Sequence, residues 1–344
     1  MITLLKEVGR GKRGARDLTY EEARQAAELI VNGEATPAQI GAFLVAERIK
    51  MESIEELRAF IDALRERTTL HPVPGSLDCA GPYDGRTRSF IATLPTAFVL
   101  AANGLPVTLH GSAPLPPKWG VTLPDVLREL GVNAGALTAA AATAAAGSSG
   151  FLFVPSEAWC PPLAKLRGIR EELGLRTSFN TAEKLLRFSE STCMAVGVFH
   201  GTVFEKVAKL VMELGVKRGM IIQGVEGSED VGVEKRTRTY LIQDGASDLF
   251  VVDPEHYELQ VDVPELEWTA AKQAEMTMSV LEGKAELPYL NMVLLNSAVR
   301  LWIGEKVGSI EEGIYRARGV IDDGLALSAF RTWKAKAAGQ ASAG

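Results

Sequence analysis

An α/β fold is predicted, with a small N-terminal helical-bundle domain over residues 1–70 and a larger domain with a mainly parallel sheet over residues 75–335. Three observations lead there. The first seventy residues hold three capping signatures, each followed by apolar residues at helical spacing. A Pro/Gly linker, His71-Pro72-Val73-Pro74-Gly75, then interrupts the chain. Beyond it, short apolar runs alternate with helical segments, the pattern of strands joined by crossover helices.

The elements follow in order. Thr19-Tyr20-Glu21-Glu22, Thr36-Pro37-Ala38-Gln39 and Ser53-Ile54-Glu55-Glu56 are capping boxes, in which a hydroxyl takes the N3 amide and the N3 side chain reaches back. Pro37 stands at the favoured first helical position. Ile40, Phe43 and Leu44 share one helix face, as do Leu57, Phe60, Ile61 and Leu64. Asn32-Gly33 is a helix stop. Past the linker, residues 106–109, 151–154, 194–199 and 219–222 read as strands, and 95–102, 203–214 and 269–281 as helices. Residues 237–242 and 257–261 read as later, more exposed strands. Helices close the chain from about Leu287, with a frayed tail over 335–344.

Composition bounds the function. The chain has 344 residues, 47% hydrophobic and 23% charged, with a formal net charge of −6. That is ordinary for a folded protein and speaks against a uniformly basic nucleic-acid glove. Cys79, Cys160 and Cys193 are scattered, which suits reduced thiols and gives zinc no ligand spacing. The basic N-terminus lacks the apolar core of a signal peptide, and the alanine run at 135–147 falls short of the roughly 20 apolar residues of a membrane span. A cytoplasmic location with no membrane partner is expected.

Residues 77–111 are the most informative stretch: strand, glycine-bearing acidic turn, helix, then a strand ending in His110-Gly111. Backbone amides at such a turn make a natural anion site. Arg86 and Arg88 follow the turn, either to hold a phosphate or to pair with Asp84 or Asp78, and Lys118 adds a third positive charge nearby. His110 stands at a strand end, as a structural histidine or an acid. Tyr83 and Trp119 suit either a stacking wall or lid packing. Glu229-Asp230 reads, on composition alone, as a solvated acidic turn.

The order of a helical bundle, the glycine turn, His110-Gly111, Phe151-Leu152-Phe153-Val154-Pro155, the segment from Arg170 to Asn180 and the acidic Gly227-Ser228-Glu229-Asp230 resembles the family of anthranilate phosphoribosyltransferase and the pyrimidine nucleoside phosphorylases. The turn Gly81-Pro82-Tyr83-Asp84-Gly85-Arg86 is closer to a divergent, anthranilate phosphoribosyltransferase-like branch, some of whose members bind DNA. The resemblance implies a phosphorylated ribose bound between two domains, Mg2+ on Glu229 and Asp230, and a homodimer formed through the helical domain, to which a segment at about 167–188 returns.

By the same resemblance Gly81, Asp84, Gly85, Thr93 and Gly111 are ligand contacts and Arg170 is the substrate arginine. The chain departs from the family at Pro82 and Tyr83, at Phe90 and Ala92, at Leu109 in place of the phosphate lysine, at Pro116-Pro117, and at Ser156, where no substrate histidine follows. Anthranilate is therefore not the expected substrate. The alternative is a non-catalytic nucleic-acid-binding relative. It rests on Lys6, Arg10, Lys12, Arg13 and Arg16, and on Arg316, Arg318, Arg331, Lys334 and Lys336.

Overall fold

The computed structural model describes residues 1–11 and 13–339. Lys12 of the basic cluster and residues 340–344 of the expected tail lie outside the described residues. The chain forms two compact units. One comprises Met1–Thr69, Leu115–Pro117 and Ser156–Leu186, so the returning segment starts before the expected 167. The other comprises Leu70–Pro114, Lys118–Pro155 and Arg187–Gly344.

The helical unit contains α1 (Ile2–Val8), α2 (Tyr20–Val31), α3 (Pro37–Lys50) and α4 (Ile54–Arg65), with further helices at Pro161–Leu173 and Ser178–Lys184. All three capping boxes form as read, Thr19 with Glu22, Thr36 with Gln39 and Ser53 with Glu56. Each such cap contributes about 1 kcal/mol. α1 was not anticipated, because it has no side-chain cap to announce it. The core of this unit is built on Phe60, which meets Phe43 at 6.0 Å and Phe179 edge-on at 5.4 Å.

The second unit is a seven-stranded sheet of β1 (Leu77–Ala80), β2 (Val107–Gly111), β3 (Phe151–Pro155), β4 (Cys193–Gly197), β5 (Arg218–Ile222), β6 (Thr237–Gln243) and β7 (Ala246–Val252). Its order is β3-β2-β1-β4-β5-β6-β7. β1 to β5 are parallel, and β6 and β7 close the sheet antiparallel. Central strands are buried on both faces, as crossover topology demands. α5 (Thr93–Ala102) is apolar all round, and Phe98 on it lies 4.7 Å from Phe151 and 5.2 Å from Phe330. The chain winds outward from β1 through β2 to β3, then returns to place β4 on the other side of β1. At such a switch point the loops at the carboxyl ends of neighbouring strands diverge and leave a crevice.

Two expectations need correction. Residues 257–261 form no strand, and Glu255–Tyr257 is a 3-10 turn. The partner of β6 is β7, across a hairpin whose Asp244 and Gly245 have φ of 54° and 75°, the left-handed pair that such turns need. The closing helix Leu325–Gly339 also runs past residue 335, where fraying was expected. The three cysteines are free thiols. Among the described residues, no helix is long and apolar enough to cross a membrane.

Candidate functional site

The turn after β1 is fixed by the strand-like segment 120–121. The Gly120 amide donates to Asp84 O at 2.9 Å, and Arg86 and Val121 exchange amide bonds at 2.9 and 2.8 Å. Gly85 has φ +75°, and a Cβ there would lie 2.3 Å from Gly120 O. Pro82 has no N–H, and the Gly85 amide donates to Pro82 O at 3.3 Å. Two amides of the turn, those of Gly85 and Arg86, are thus spent on protein carbonyls. Lys118 pairs with Asp84 at 3.4 Å rather than adding a free charge.

Tyr83 lies folded into the site. Its ring stacks on His110, with centroids 5.6 Å apart, and its hydroxyl bonds to His110 Nδ1. His110 Nε2 lies 3.1 Å from Asp78 Oδ1. A carboxylate only accepts, so Nε2 donates to Asp78 and leaves Nδ1 to accept from Tyr83. All three residues are buried. His110 is therefore held by side chains on both nitrogens, not by backbone. Trp119 is exposed.

Acidic residues of the loop after β5 fill the remaining polar positions. Asp230 is buried between two guanidiniums: Oδ2 is 2.5 Å from Arg86 Nη2 and Oδ1 is 2.9 Å from Arg300 Nη2. The Thr93 amide adds a third bond at 3.2 Å. Arg86 also donates to Ser89 Oγ and Phe90 O. Glu226 caps the neighbouring turn. It accepts from the Thr87 amide and hydroxyl at 3.2 and 2.9 Å, from the Arg88 amide at 3.1 Å and from Ser89 Oγ at 2.6 Å. Burial pushes its carboxyl up, but the bonds from Ser89, Arg88 and Thr87 outweigh this and bring it down to about 2. Arg86 was expected to hold a ligand phosphate or to pair with Asp84 or Asp78. Its anion is instead Asp230, 144 positions along the chain. Arg88 is exposed and contributes its backbone amide to Glu226.

A cavity of about 30 Å³ remains, lined by Gly81, Tyr83, Thr93, His110, Gly111 and Glu229 among others, all in the α/β unit. A Cβ at Gly81 would lie 2.7 Å from Glu229 Oε2, so any side chain there would have to shift that carboxylate. In the helical unit Arg170 is buried against Glu183 at 2.7 Å, and Ser156 donates to the same carboxylate at 2.8 Å.

The chain matches the profile of the glycosyl transferase family a/b domain over residues 84–327 and that of the family's helical bundle domain over residues 2–68. The chain belongs to this glycosyl transferase family. Anthranilate phosphoribosyltransferase of Desulfitobacterium hafniense is 34% identical over 311 residues, 90% of this chain and 91% of that protein. The enzyme of Alkaliphilus metalliredigens is 32% identical over 317 residues, 91% and 92% of the two chains. The Thermus thermophilus enzyme superposes with a TM-score of 0.83 at 24% identity, over 98% of this chain and 99% of that one. The Saccharomyces cerevisiae enzyme solved with PRPP and Mg gives 0.81 at 19% identity, over 98% of both chains. The fold expectation is thereby met.

For a member of this glycosyl transferase family, the acidic pair is the place to test for a divalent cation. The residues do not fit one. Mg2+ requires oxygen ligands in an octahedron, and both Asp230 oxygens are engaged by guanidinium groups. Arg300 also takes the Glu229 carbonyl, at 3.0 Å. Glu229 is then the one carboxylate of the pair left over. Among the described residues no group of three or more His, Cys, Asp or Glu side chains is placed to hold a metal. Sequence reasoning missed Arg300, Glu226 and Glu183, whose partners lie far along the chain or outside any motif.

Proposed function

We propose that this chain binds a phosphorylated ribose in the cavity at the carboxyl ends of β1 and β2, and that anthranilate is not its acceptor. The observation that carries the reading is a pair of buried polar groups without partners, the Thr93 hydroxyl and Glu229 Oε2, lining one cavity. Left unmet, such groups cost about 1–3 kcal/mol each. A sugar hydroxyl donating to Glu229 and a phosphoryl oxygen accepting from Thr93 would satisfy both. The anthranilate phosphoribosyltransferase relatives, and PRPP in the yeast structure, support this ligand class. The second half rests on Arg170, whose charge is neutralised by Glu183, and on Ser156, which stands where the substrate histidine was sought.

A cavity of about 30 Å³ holds a water or two, so the ligand enters by displacing the Tyr83 ring from His110. Calorimetry with PRPP tests this. Wild type is expected to bind weakly, and Tyr83→Gly roughly tenfold more tightly, a gain of about 1.4 kcal/mol. Anthranilate added to the PRPP-loaded protein is expected to give no further heat. Absence of heat with PRPP from both proteins at millimolar ligand removes the reading.

Nucleic acid has less support as the ligand. Arg10 pairs with Glu7 at 2.5 Å, Arg16 with Glu7 and Glu22 at 3.0 and 2.7 Å, and Arg316 with Glu312 at 2.8 Å. A homodimer through the helical unit is also proposed. Its support is a groove of about 650 Å³ between α1 and α3, lined by Leu5, Ala42, Val45, Ala46 and Ile49 with Lys6 and Arg10.

A further inference from the structure

We infer that Arg86 takes the place of a divalent metal in this site, so that the ligand is bound without magnesium. The inference rests on the reading of the same cavity given above and deepens it by naming the counterion. Asp230 is wholly buried, and its two oxygens face Arg86 Nη2 at 2.5 Å and Arg300 Nη2 at 2.9 Å. Both guanidiniums are themselves buried, at 2% and 1% exposure. A metal on Asp230 would have to displace them and leave two buried charges unpaired, which is strongly unfavourable.

Arg86 also does what a bridging ion does mechanically. It joins the 86–93 turn to the loop after β5, with Nη1 on Ser89 Oγ and Phe90 O and Nη2 on Asp230. A guanidinium is permanently charged and presents several donors in a fixed plane. Unlike a metal it cannot leave with the ligand, and it needs no second carboxylate. Glu229, whose Oε2 has no partner, stays available for a hydroxyl donor. Arg86 is in this sense a positioning residue, and it lines the cavity.

The test is a Mn2+ titration of the full-length protein followed by electron paramagnetic resonance. Wild type is expected to leave submillimolar Mn2+ free, as is Arg86→Lys. Arg86→Ser, which removes the guanidinium from Asp230 Oδ2 and leaves it only the Thr93 amide, is expected to bind the ion, and Arg86→Ser/Glu229→Gln to lose it again. Stoichiometric uptake by wild type that Glu229→Gln abolishes would overturn the inference. An Arg86→Ser protein with wild-type circular dichroism that still leaves Mn2+ free would overturn the part assigned to Arg86. Calorimetry supplies the second readout: the PRPP Kd is expected to agree within about twofold in Mg2+ and in chelator, whereas a tenfold tightening by Mg2+ sinks the inference. If PRPP gives no heat at all, the ligand reading fails while the Mn2+ titration still decides this one.

Discussion

Glu183 and Asp230 each occupy a position where an anionic ligand was expected to contact the protein, the Arg170 and Arg86 guanidiniums, and Glu226 takes the Thr87 and Arg88 amides. The residues around the site were legible from their types, because a glycine turn followed by arginines announces an anion. Their partners were not. Arg86 and Asp230 are 144 residues apart and Asp230 and Arg300 are 70 apart, and no local periodicity reports such pairs. Another buried acid makes the cost of burying a carboxyl group measurable. Glu47 is 1% exposed, neither carboxylate oxygen has a hydrogen-bond partner, and Lys50 is 4.0 Å away. Burial, with the charge of Glu56 behind it, pushes its carboxyl up to about 8. In the unfolded chain the group titrates near ~4.3. The folded chain thus keeps a proton that the unfolded chain releases, and stability falls as pH rises from there to about 8. The loss is at most about 1.4 kcal/mol per pH unit. Glu47→Gln removes this slope, so its urea midpoint is expected to gain on wild type from pH 5 to 8 and to level off above. A pH-independent difference between the two proteins would contradict the assignment.

At the scale of elements, helix starts were legible where a side chain performs the capping, and strands where the run is apolar on both faces. α1 lacks the cap. β7 presents Leu249 and Val251 outward at 55% and 43% exposure, so its pattern did not alternate as a half-buried strand does. Only the Asp244-Gly245 turn marked it. The turn at residues 81–86 is held by backbone pairing with 120–121, whatever the loop binds. Gly85→Ala therefore tests the turn as a structural unit. The residue has φ +75°, and the added methyl meets Gly120 O at 2.3 Å. Gly104 has the same φ with nothing within 4 Å. Gly104→Ala is expected to cost about 1–2 kcal/mol, the left-handed backbone alone. Gly85→Ala is expected to exceed it by on the order of 1–3 kcal/mol, the range of overpacking. Equal denaturation midpoints for the two variants would mean that the turn is not clamped against 120–121.

For the molecule as a whole, the open question is what covers α3. Ile49 and Ile2 are 64% and 61% exposed, and Ile49, Val45, Ala46 and Ala42 share the groove with Leu5 of α1. Lys6 and Arg10 also line it, and an apolar strip with a polar rim of this kind marks an association surface. A self-complementary patch on a helical element is what a two-fold dimer uses. The net charge of −6 works against close approach of two copies unless apolar area offsets it. Ile49→Glu places a charge in the middle of the groove. An exposed substitution changes fold stability by about 0.5 kcal/mol or less, whereas a charge buried unpaired at an interface costs several. Sedimentation velocity is then expected to give a dimer for wild type and a monomer for Ile49→Glu, with unchanged circular dichroism. A wild-type monomer at micromolar concentration removes the dimer, and a dimeric Ile49→Glu protein moves the interface off α3.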